Sequence, residues 1–312
     1  MGARRFQVEA YAKINLGLKV LYKRPDQFHE IRTIFQTVSL SDTVELIWEP
    51  GRRTRITLDD PLAIPDNLMV RAADAVLAKA KKTGSVRMRL TKRIPMGGGL
   101  GGGSTDAAAV IRCLANSFRQ PLEFDTCVEL AASLGSDIPF FLLGGAVLAM
   151  GRGEEMYPLP DLPPTAGLLV CAPVHVSTPK AYQALQRRTW GELTVPSQSR
   201  ILNKFQALAR SVAEKRSAAE WAHLAENDFE AAVFLENPLL PKLKRMLERQ
   251  GARPAQMSGS GAAIYGLFSS WAEAKNAREA FAAPVRTFPV RLLGRRAYAA
   301  RWQRWLEAGA GT

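Results

Sequence analysis

Cysteine and histidine are both scarce in this chain, three of each in 312 residues, and the scarcity excludes several kinds of chemistry. Cys113, Cys127 and Cys171 are odd in number and lack CxxC spacing, so neither a disulfide frame nor a zinc site is indicated. Buried, reduced thiols of a cytosolic protein are the expectation. His29, His175 and His223 lie far apart and show no metal-ligand spacing, so no metal site is assigned. Long apolar runs are missing too. The longest, residues 138–150, has 13 residues and is too short to span a bilayer. The start, Met1-Gly2-Ala3-Arg4-Arg5-Phe6, has neither the apolar core of a signal peptide nor the Ser/Thr at position 6 of a myristoylation signal. These absences predict a soluble cytoplasmic protein with no membrane partner.

What is present is ample core and an excess of positive charge. A length of 312 residues fits two domains, and 47% apolar residues supply cores for both. Domains of about 150 residues bury roughly 68–70% of their unfolded surface, so long disordered stretches are not expected. The net charge of +13, from 42 Lys+Arg against 29 Asp+Glu, favours an anionic partner without choosing among nucleotide, nucleic acid and acidic membrane.

Residues 6–49 read as strands joined by turns. A helix starts at Asp66 or Asn67, both good caps, and runs to Lys82, with Gly84 as its stop. Val86, Met88 and Leu90 alternate with polar residues, the mark of a half-buried strand. It leads into the glycine run 97–103 and an Ala-rich helix over 107–115; a second helix follows over 125–134. Four prolines between 158 and 164 mark the stretch 157–165 as a domain boundary, giving domains 1–160 and 161–294 and a basic tail 295–312. Beyond the boundary the patterns predict a buried strand over 167–176, a helix opened by Pro179, and a polar loop over 191–200. Helices follow over 201–214, 217–235 and 239–250, then a turn at 258–261, a strand to Phe268, a helix over 270–282 and a last strand near 285–293.

Six glycines in the seven residues 97–103 are the strongest chemical signal. Glycine lets successive backbone N–H groups converge, and the following helix adds its positive end, so strand, glycine loop and helix bind phosphate without a charged side chain. A flexible linker would be flanked by polar spacer instead. No Gly-Lys-Ser/Thr follows, which rules out a Walker A loop. A GxGxxG match (Gly97, Gly99, Gly102) is trivial in a run of glycines, and no clear βαβ unit follows it.

The string Pro95-Met96-Gly97-Gly98-Gly99-Leu100-Gly101-Gly102-Gly103-Ser104-Thr105-Asp106 resembles the phosphate loop of the GHMP kinases. Its doubled GGGLGGG form is similar to the branch acting on diphosphocytidyl-methylerythritol. Ala12-Lys13-Ile14-Asn15-Leu16 resembles the family's first motif and Met257-Ser258-Gly259-Ser260-Gly261-Ala262 its third. Asn227-Asp228-Phe229-Glu230 and Gly135-Ser136-Asp137-Ile138-Pro139 look like patterns of the branch. The five occur in family order between about residue 8 and residue 293.

The resemblance implies an α+β fold, an N-terminal domain of the ribosomal-S5-domain-2-like kind and a C-terminal ferredoxin-like one. ATP and the acceptor would meet in the cleft between them. The implied reaction moves the γ-phosphoryl of ATP onto a hydroxyl of 4-diphosphocytidyl-2-C-methyl-D-erythritol, a step of non-mevalonate isoprenoid synthesis. Mg²⁺ would arrive with the nucleotide. A monomer or weak homodimer without nucleic-acid partners is expected.

Phosphoryl transfer to an alcohol requires positioning, charge neutralisation and often a base. Asp137 reads from its neighbours either as such a base or as the cap of a short turn, and the resemblance assigns it to catalysis. Lys13, among apolar neighbours, needs a carboxylate or phosphate partner or a route for its head to solvent. The resemblance puts it beside Asp137. Asn15, two residues along a strand, faces the same way and can hydrogen-bond the acceptor.

Around the nucleotide, the resemblance places Pro95, Gly97, Gly98, Gly99, Leu100, Gly101, Gly102, Gly103, Ser104 and Thr105 at the phosphates and Asn67 and Lys92 near adenine. Asn67 also reads as a helix cap, and Lys92 as a solvated strand charge. For the cytidine end the family uses aromatics at the positions of Phe28, with His29, and Tyr182, while Thr178, Gly259 and Ser260 line the acceptor. Pro25-Asp26-Gln27-Phe28-His29 departs from the family's Asp-Gly-Tyr-His by Gln27 for glycine and Phe28 for tyrosine. Stacking survives the second change; a tyrosine hydroxyl bond does not.

A homoserine or mevalonate type of GHMP kinase would not need the cytosine-binding aromatics. A nucleic-acid-binding protein would leave Lys13, Asp137 and the glycine loop without a purpose. Residues 286–312 hold six arginines against Glu307 alone; a solvated helix packed on its own domain, dispensable for turnover, is the expectation there.

Overall fold

Apolar residues at every second position, or in unbroken runs, place the strands of two sheets. The computed structural model describes residues 2–185 and 195–310. Strands β1 (Arg4–Lys23) and β2 (His29–Pro50) form a long antiparallel hairpin. β3 (Arg55–Asp59), α1 (Leu68–Ala80), β4 (Gly84–Thr91), α2 (Gly102–Ala115), α3 (Phe124–Leu134), α4 (Phe140–Leu143), β5 (Ala146–Met150) and β6 (Glu155–Pro158) follow. The first sheet runs β3-β4-β2-β5-β6, with β1 along the other edge of β2. In α1, Met69, Ala72, Ala73, Val76 and Leu77 are buried, the i, i+3, i+4, i+7, i+8 stripe of a helix laid on a core.

The second half comprises β7 (Ala166–Cys171), α5 (Thr178–Ala184), α6 (Val195–Ala213), α7 (Ala218–Trp221), α8 (Phe229–Glu236), α9 (Leu239–Arg249), β8 (Ala255–Met257), β9 (Ala263–Phe268), α10 (Trp271–Asn276) and β10 (Arg286–Arg291). Its sheet is antiparallel in the order β10-β7-β9-β8. β7 and β9 are buried throughout, as their unbroken apolar sequences require. Helix α11 (Arg295–Ala310) ends the described chain. Among the described residues no helix is long and apolar enough to cross a membrane.

β1 ties the halves together. Its open edge accepts the glycine loop, with the Lys13 N–H donating to the Leu100 carbonyl at 3.0 Å. Further along it accepts residues 226–228: Leu18 N–H donates to Glu226 O, and Asp228 N–H to Leu18 O. Breaks in the β1–β2 register fall between Tyr11 and Lys13 and between Asn15 and Gly17. Such bulges re-aim side chains beside functional sites.

Several expectations need correction. The left-handed cap of α1 is Lys81 (φ 52°), and Gly84 opens β4 instead of stopping the helix. The helix after the glycine run begins at Gly102, because Gly101 serves as its cap and the following glycines supply its first turn. Residues 195–200 are helix, while 191–194 of the expected polar loop lie outside the described residues. The helix expected over 217–235 is broken at 225–228, where the backbone leaves its own ladder to bond the edge of β1. The helix expected over 270–282 is α10 continued by a 3₁₀ turn to Ala280, and the strand from 167 stops at Cys171. Last, α11 packs on the first sheet and not on the neighbouring second one: Tyr298 and Trp302 are buried in the same core as Val8, Phe35 and Val110.

Candidate active site

The glycine loop folds back between two walls. Gly97, Gly99 and Gly101 have φ of +66°, +69° and +71°. Left-handed residues alternating with others turn successive N–H groups into one concavity, and Gly101 hands it to the N-terminus of α2. Leu100 is the loop's anchor, buried between the halves. The third motif clamps the other side: Ala262 N–H donates to Gly97 O, Ala263 N–H to Gly98 O, and Ser258 Oγ to Gly99 O at 2.9 Å. A Cβ on Gly99 would stand 2.1 Å from the Ser258 carbonyl oxygen, so no side chain fits there. One on Gly101 would stand 2.6 Å from the Phe141 ring and 3.3 Å from the Lys13 stem.

Gly102 differs: its backbone is not left-handed, and a Cβ there would meet only close contacts, Lys92 Nζ at 3.0 Å and Ile94 at 3.1 Å, rather than a clash. Gly101→Ala is therefore expected to weaken ATP binding and stability well beyond Gly102→Ala. The left-handed backbone alone costs an L-residue about 1–2 kcal/mol. Calorimetric ATP titration and thermal unfolding of both variants check this; equal behaviour would refute it.

Lys92 is not solvated. Its Nζ binds Asp42 Oδ2 at 2.5 Å and Asp106 Oδ2 at 2.9 Å, deep beneath the start of α2. The other Asp42 oxygen accepts the N–H groups of Arg93 and Ile94. Burial would lower the lysine, but the two carboxylates outweigh it and raise it. Burial and the Asp42 charge push Asp106 up to about 8. Asn67 is likewise engaged within the fold, its Oδ1 accepting Met69 N–H at 3.0 Å to cap α1 and its amide donating to Asp60. Ser104 and Thr105 lie in the first turn of α2, with Thr105 buried. Pro95 precedes the cradle.

Across the loop, β1 presents Lys13 and Asn15. Lys13 is 3% exposed; its Nζ donates to Asn15 Oδ1 at 2.8 Å, lies 3.5 Å from Asp137 Oδ2 and sits 4.9 Å from the centre of the Phe35 ring. Burial lowers its pKa below the ordinary lysine value, with Asp137 pulling the other way. The Asn15 amide donates to Thr33 Oγ1, which itself donates to Gly17 O, so the asparagine is held in one orientation. Asp137 makes no capping bond to α4; its carboxylate turns to Lys13. Thr178 and Ser260 hydroxyls join at 2.8 Å on the opposite lip, and Gly259 lies against Asn15 and Gly99.

Two connected clefts open here. One, about 170 Å³, is lined by Lys13, Asn15, Gly99, Gly101, Asp137 and Gly259 among others. The second, about 480 Å³, holds Lys23, Gln27, Phe28, His29, Ser136 and Gln183. Asp137, Arg152, Thr178 and Tyr182 line both. His29 stacks on Tyr182 with centroids 4.7 Å apart, and Tyr182 meets the Phe229 ring edge-on. Burial and the Asp137 charge push the Tyr182 phenol up to about 12, so it stays protonated. Phe28 is half exposed. Gln27 has φ +69°, the left-handed conformation that glycine adopts most readily.

The structure thus brings Lys13, Asn15, Asp137, Gly99, Gly101, Thr178, Gly259 and Ser260 together with Tyr182. Asn67 and Lys92 line neither cleft. Sequence reasoning missed Thr33, Asp42 and Arg152, and quoted Ser258, Asn227 and Glu230 without a role. The Asn227 amide bonds the carbonyls of Met257 and Gly259, and Glu230 accepts Met257 N–H, so this motif holds the third loop in place. The one available signal for Arg152 was its place between Gly151 and Gly153.

Residues 67–145 match the family described as GHMP kinases N terminal domain, and residues 205–287 match GHMP kinases C terminal. The class is therefore that of ATP-dependent small-molecule phosphotransferases with the GHMP kinase fold. A 4-diphosphocytidyl-2-C-methyl-D-erythritol kinase from Solibacter usitatus is 48% identical over 96% of this chain and 93% of its own. A crystal structure of a 4-(cytidine 5'-diphospho)-2C-methyl-D-erythritol kinase superposes with a TM-score of 0.75 at 34% identity, covering 92% of this chain and 99% of that one. The chain belongs to the 4-diphosphocytidyl-2-C-methyl-D-erythritol kinase family. A homoserine kinase from Cytophaga hutchinsonii superposes at 0.73 with 18% identity, over 93% of this chain and 95% of that one, and shares the fold alone.

Proposed function

We propose that the protein transfers the γ-phosphoryl of ATP to the 2-hydroxyl of 4-diphosphocytidyl-2-C-methyl-D-erythritol, a step of non-mevalonate isoprenoid synthesis. The observation that carries this reading is the shape of the site: a phosphate cradle faces the Lys13–Asn15–Asp137 cluster, and an aromatic-lined cleft continues from it. A homoserine- or mevalonate-sized acceptor has no use for the second cleft.

In this reading the glycine loop and the end of α2 hold the triphosphate through backbone N–H groups. Asn15 and Thr178 orient the acceptor. Asp137 takes the hydroxyl proton as the oxygen attacks the γ-phosphorus, and the bond to the β-phosphate oxygen breaks, releasing ADP. Lys13 stays cationic, held by Asp137 and Asn15, and stabilises the charge on the transferring group. Mg²⁺ would travel with the nucleotide. When bound it neutralises phosphate charge and keeps several waters. Beneath the loop, Lys92 ties the start of α2 to Asp42 through Asp106 and so helps hold the cradle in place.

A coupled ADP-release assay with the diphosphocytidyl acceptor, homoserine and mevalonate tests the proposal; turnover of either small alcohol in preference to the cytidine compound would overturn it. Selectivity should rest on Phe28. Stacking a base on an aromatic ring contributes about 1–3 kcal/mol, on the order of 10- to 100-fold in affinity. Phe28→Ala is expected to raise the acceptor KM by that factor and leave the ATP KM unchanged, while Phe28→Tyr, on an exposed ring, changes little. Tyr182→Ala is a poorer probe because this ring also packs on Phe229.

A further inference from the structure

We infer that Arg152 is the specificity residue for the diphosphate of the acceptor, bridging the nucleoside cleft and the phosphoryl-transfer site. This rests on the acceptor reading above and adds a residue to it. β5 and β6 pair so that Met150 faces Glu155, leaving the four residues 151–154 as the turn between them. Gly151 (φ +70°) and Gly153 (φ +111°) give the turn its shape; Gly151 O accepts the Ile31 N–H, and Gly153 lies against Ile31 and Phe35. The Glu154 carboxylate closes it, accepting the Arg152 N–H at 2.6 Å and its Nε at 3.2 Å. The turn therefore presents one long cation in a defined direction. The guanidinium rests on the Phe28 ring, 4.7 Å from its centre.

Four residues line both clefts, and among them Arg152 is the one cation. An acceptor with its base at Phe28 and His29 and its reacting hydroxyl at Asp137 must pass its linking group between these positions. For a nucleoside diphosphate derivative that group carries two negative charges. Asp137 beside it repels them, and a planar guanidinium supplies the paired donors that phosphate oxygens accept. The face of the guanidinium packed on Phe28 leaves its N–H edge for the ligand, and the ring fixes the plane. Glu154 holds Arg152 through Nε, so both terminal NH₂ groups remain for the diphosphate. ATP's own phosphates are the other source of such charge, but the glycine cradle across Asp137 accounts for them.

The test uses the full chain and two probes, CDP and CMP, titrated calorimetrically without divalent cation so that protein charges alone neutralise the phosphates. The natural chain should bind CDP more tightly than CMP. Arg152→Gln should abolish that preference, weakening CDP by about 10- to 100-fold, as expected for a lost charge-assisted contact, and CMP far less. Arg152→Lys should recover part of it. In turnover, Arg152→Gln should raise the acceptor KM with the ATP KM and the melting temperature unchanged. If Arg152→Gln keeps the natural CDP affinity, or raises the ATP KM instead, the assignment of Arg152 is overturned while the cytidine reading stands. If the natural chain binds neither CDP nor CMP and does not turn over the cytidine acceptor, the acceptor reading fails and this inference with it.

Discussion

Asp137→Asn is expected to fold, to bind ATP and to turn over about 10²–10⁴ times more slowly, the usual loss for a positioned base. That corresponds to roughly 2.7–5.4 kcal/mol of barrier. The substitution keeps the shape of a side chain that is already in contact with water and 3.5 Å from Lys13, so stability should change little. A second signature follows from Lys13. Burial lowers its pKa and the Asp137 charge pulls it back up, so removing that charge lowers it further. A lysine acts as a cation only below its pKa. The alkaline limb of kcat should therefore lie below the ordinary lysine range in the natural chain and at lower pH still in Asp137→Asn. Near-normal kcat would remove Asp137 from the role of base, and an alkaline limb that moves upward would remove its pairing with Lys13.

Truncation after Leu293 should leave no stable protein. The basic character of 295–310 suggests a dispensable tail, yet Tyr298 and Trp302 are each 1% exposed in the first core. Tyr298 fills the space over Gly144, where a Cβ would stand 2.2 Å from its ring, and its hydroxyl donates to the Phe141 carbonyl. The Arg112 guanidinium lies 4.5 Å from the centre of the Trp302 ring. Removing one buried tryptophan side chain costs about 3–5 kcal/mol, and the truncation removes Tyr298, Trp302 and Trp305 together. Since Phe141 also packs against Gly101, the glycine loop should loosen with the core. Trp302→Ala is the measurable form: a fall in Tm of about 5–8 °C is expected for a chain of this size. An unchanged Tm, or full turnover after truncation, would return this helix to the status of a tail.

The chemistry was legible wherever it depended on local geometry. Lys13 and Asn15 share a strand face by period two, and six glycines between a strand and a helix can do little except bend backbone N–H groups around an anion. The stop of α1 was misjudged because Lys81 takes the left-handed position although glycine stands three residues on. The Lys92–Asp42–Asp106 group was not legible, because Asp42 is 50 residues from Lys92 in sequence and no spacing rule links them. Nor was Arg152: a lone arginine in a turn reads as solvated surface until the fold lays it over Phe28.

By itself the sequence determined the two-part α+β layout, the phosphate cradle and the chemical types facing it, since strand alternation, helix stripes and glycine freedom act over a few residues. Tertiary structure decided which distant groups meet. It sent α11 to the first core, broke the helix at 225–228 to cover the edge of β1, and let Asn227 hold the third loop against the first glycines. Those choices depend on matching surfaces and on satisfying backbone groups across the whole chain. An apolar face or an open strand edge states that it must be covered, but not by what.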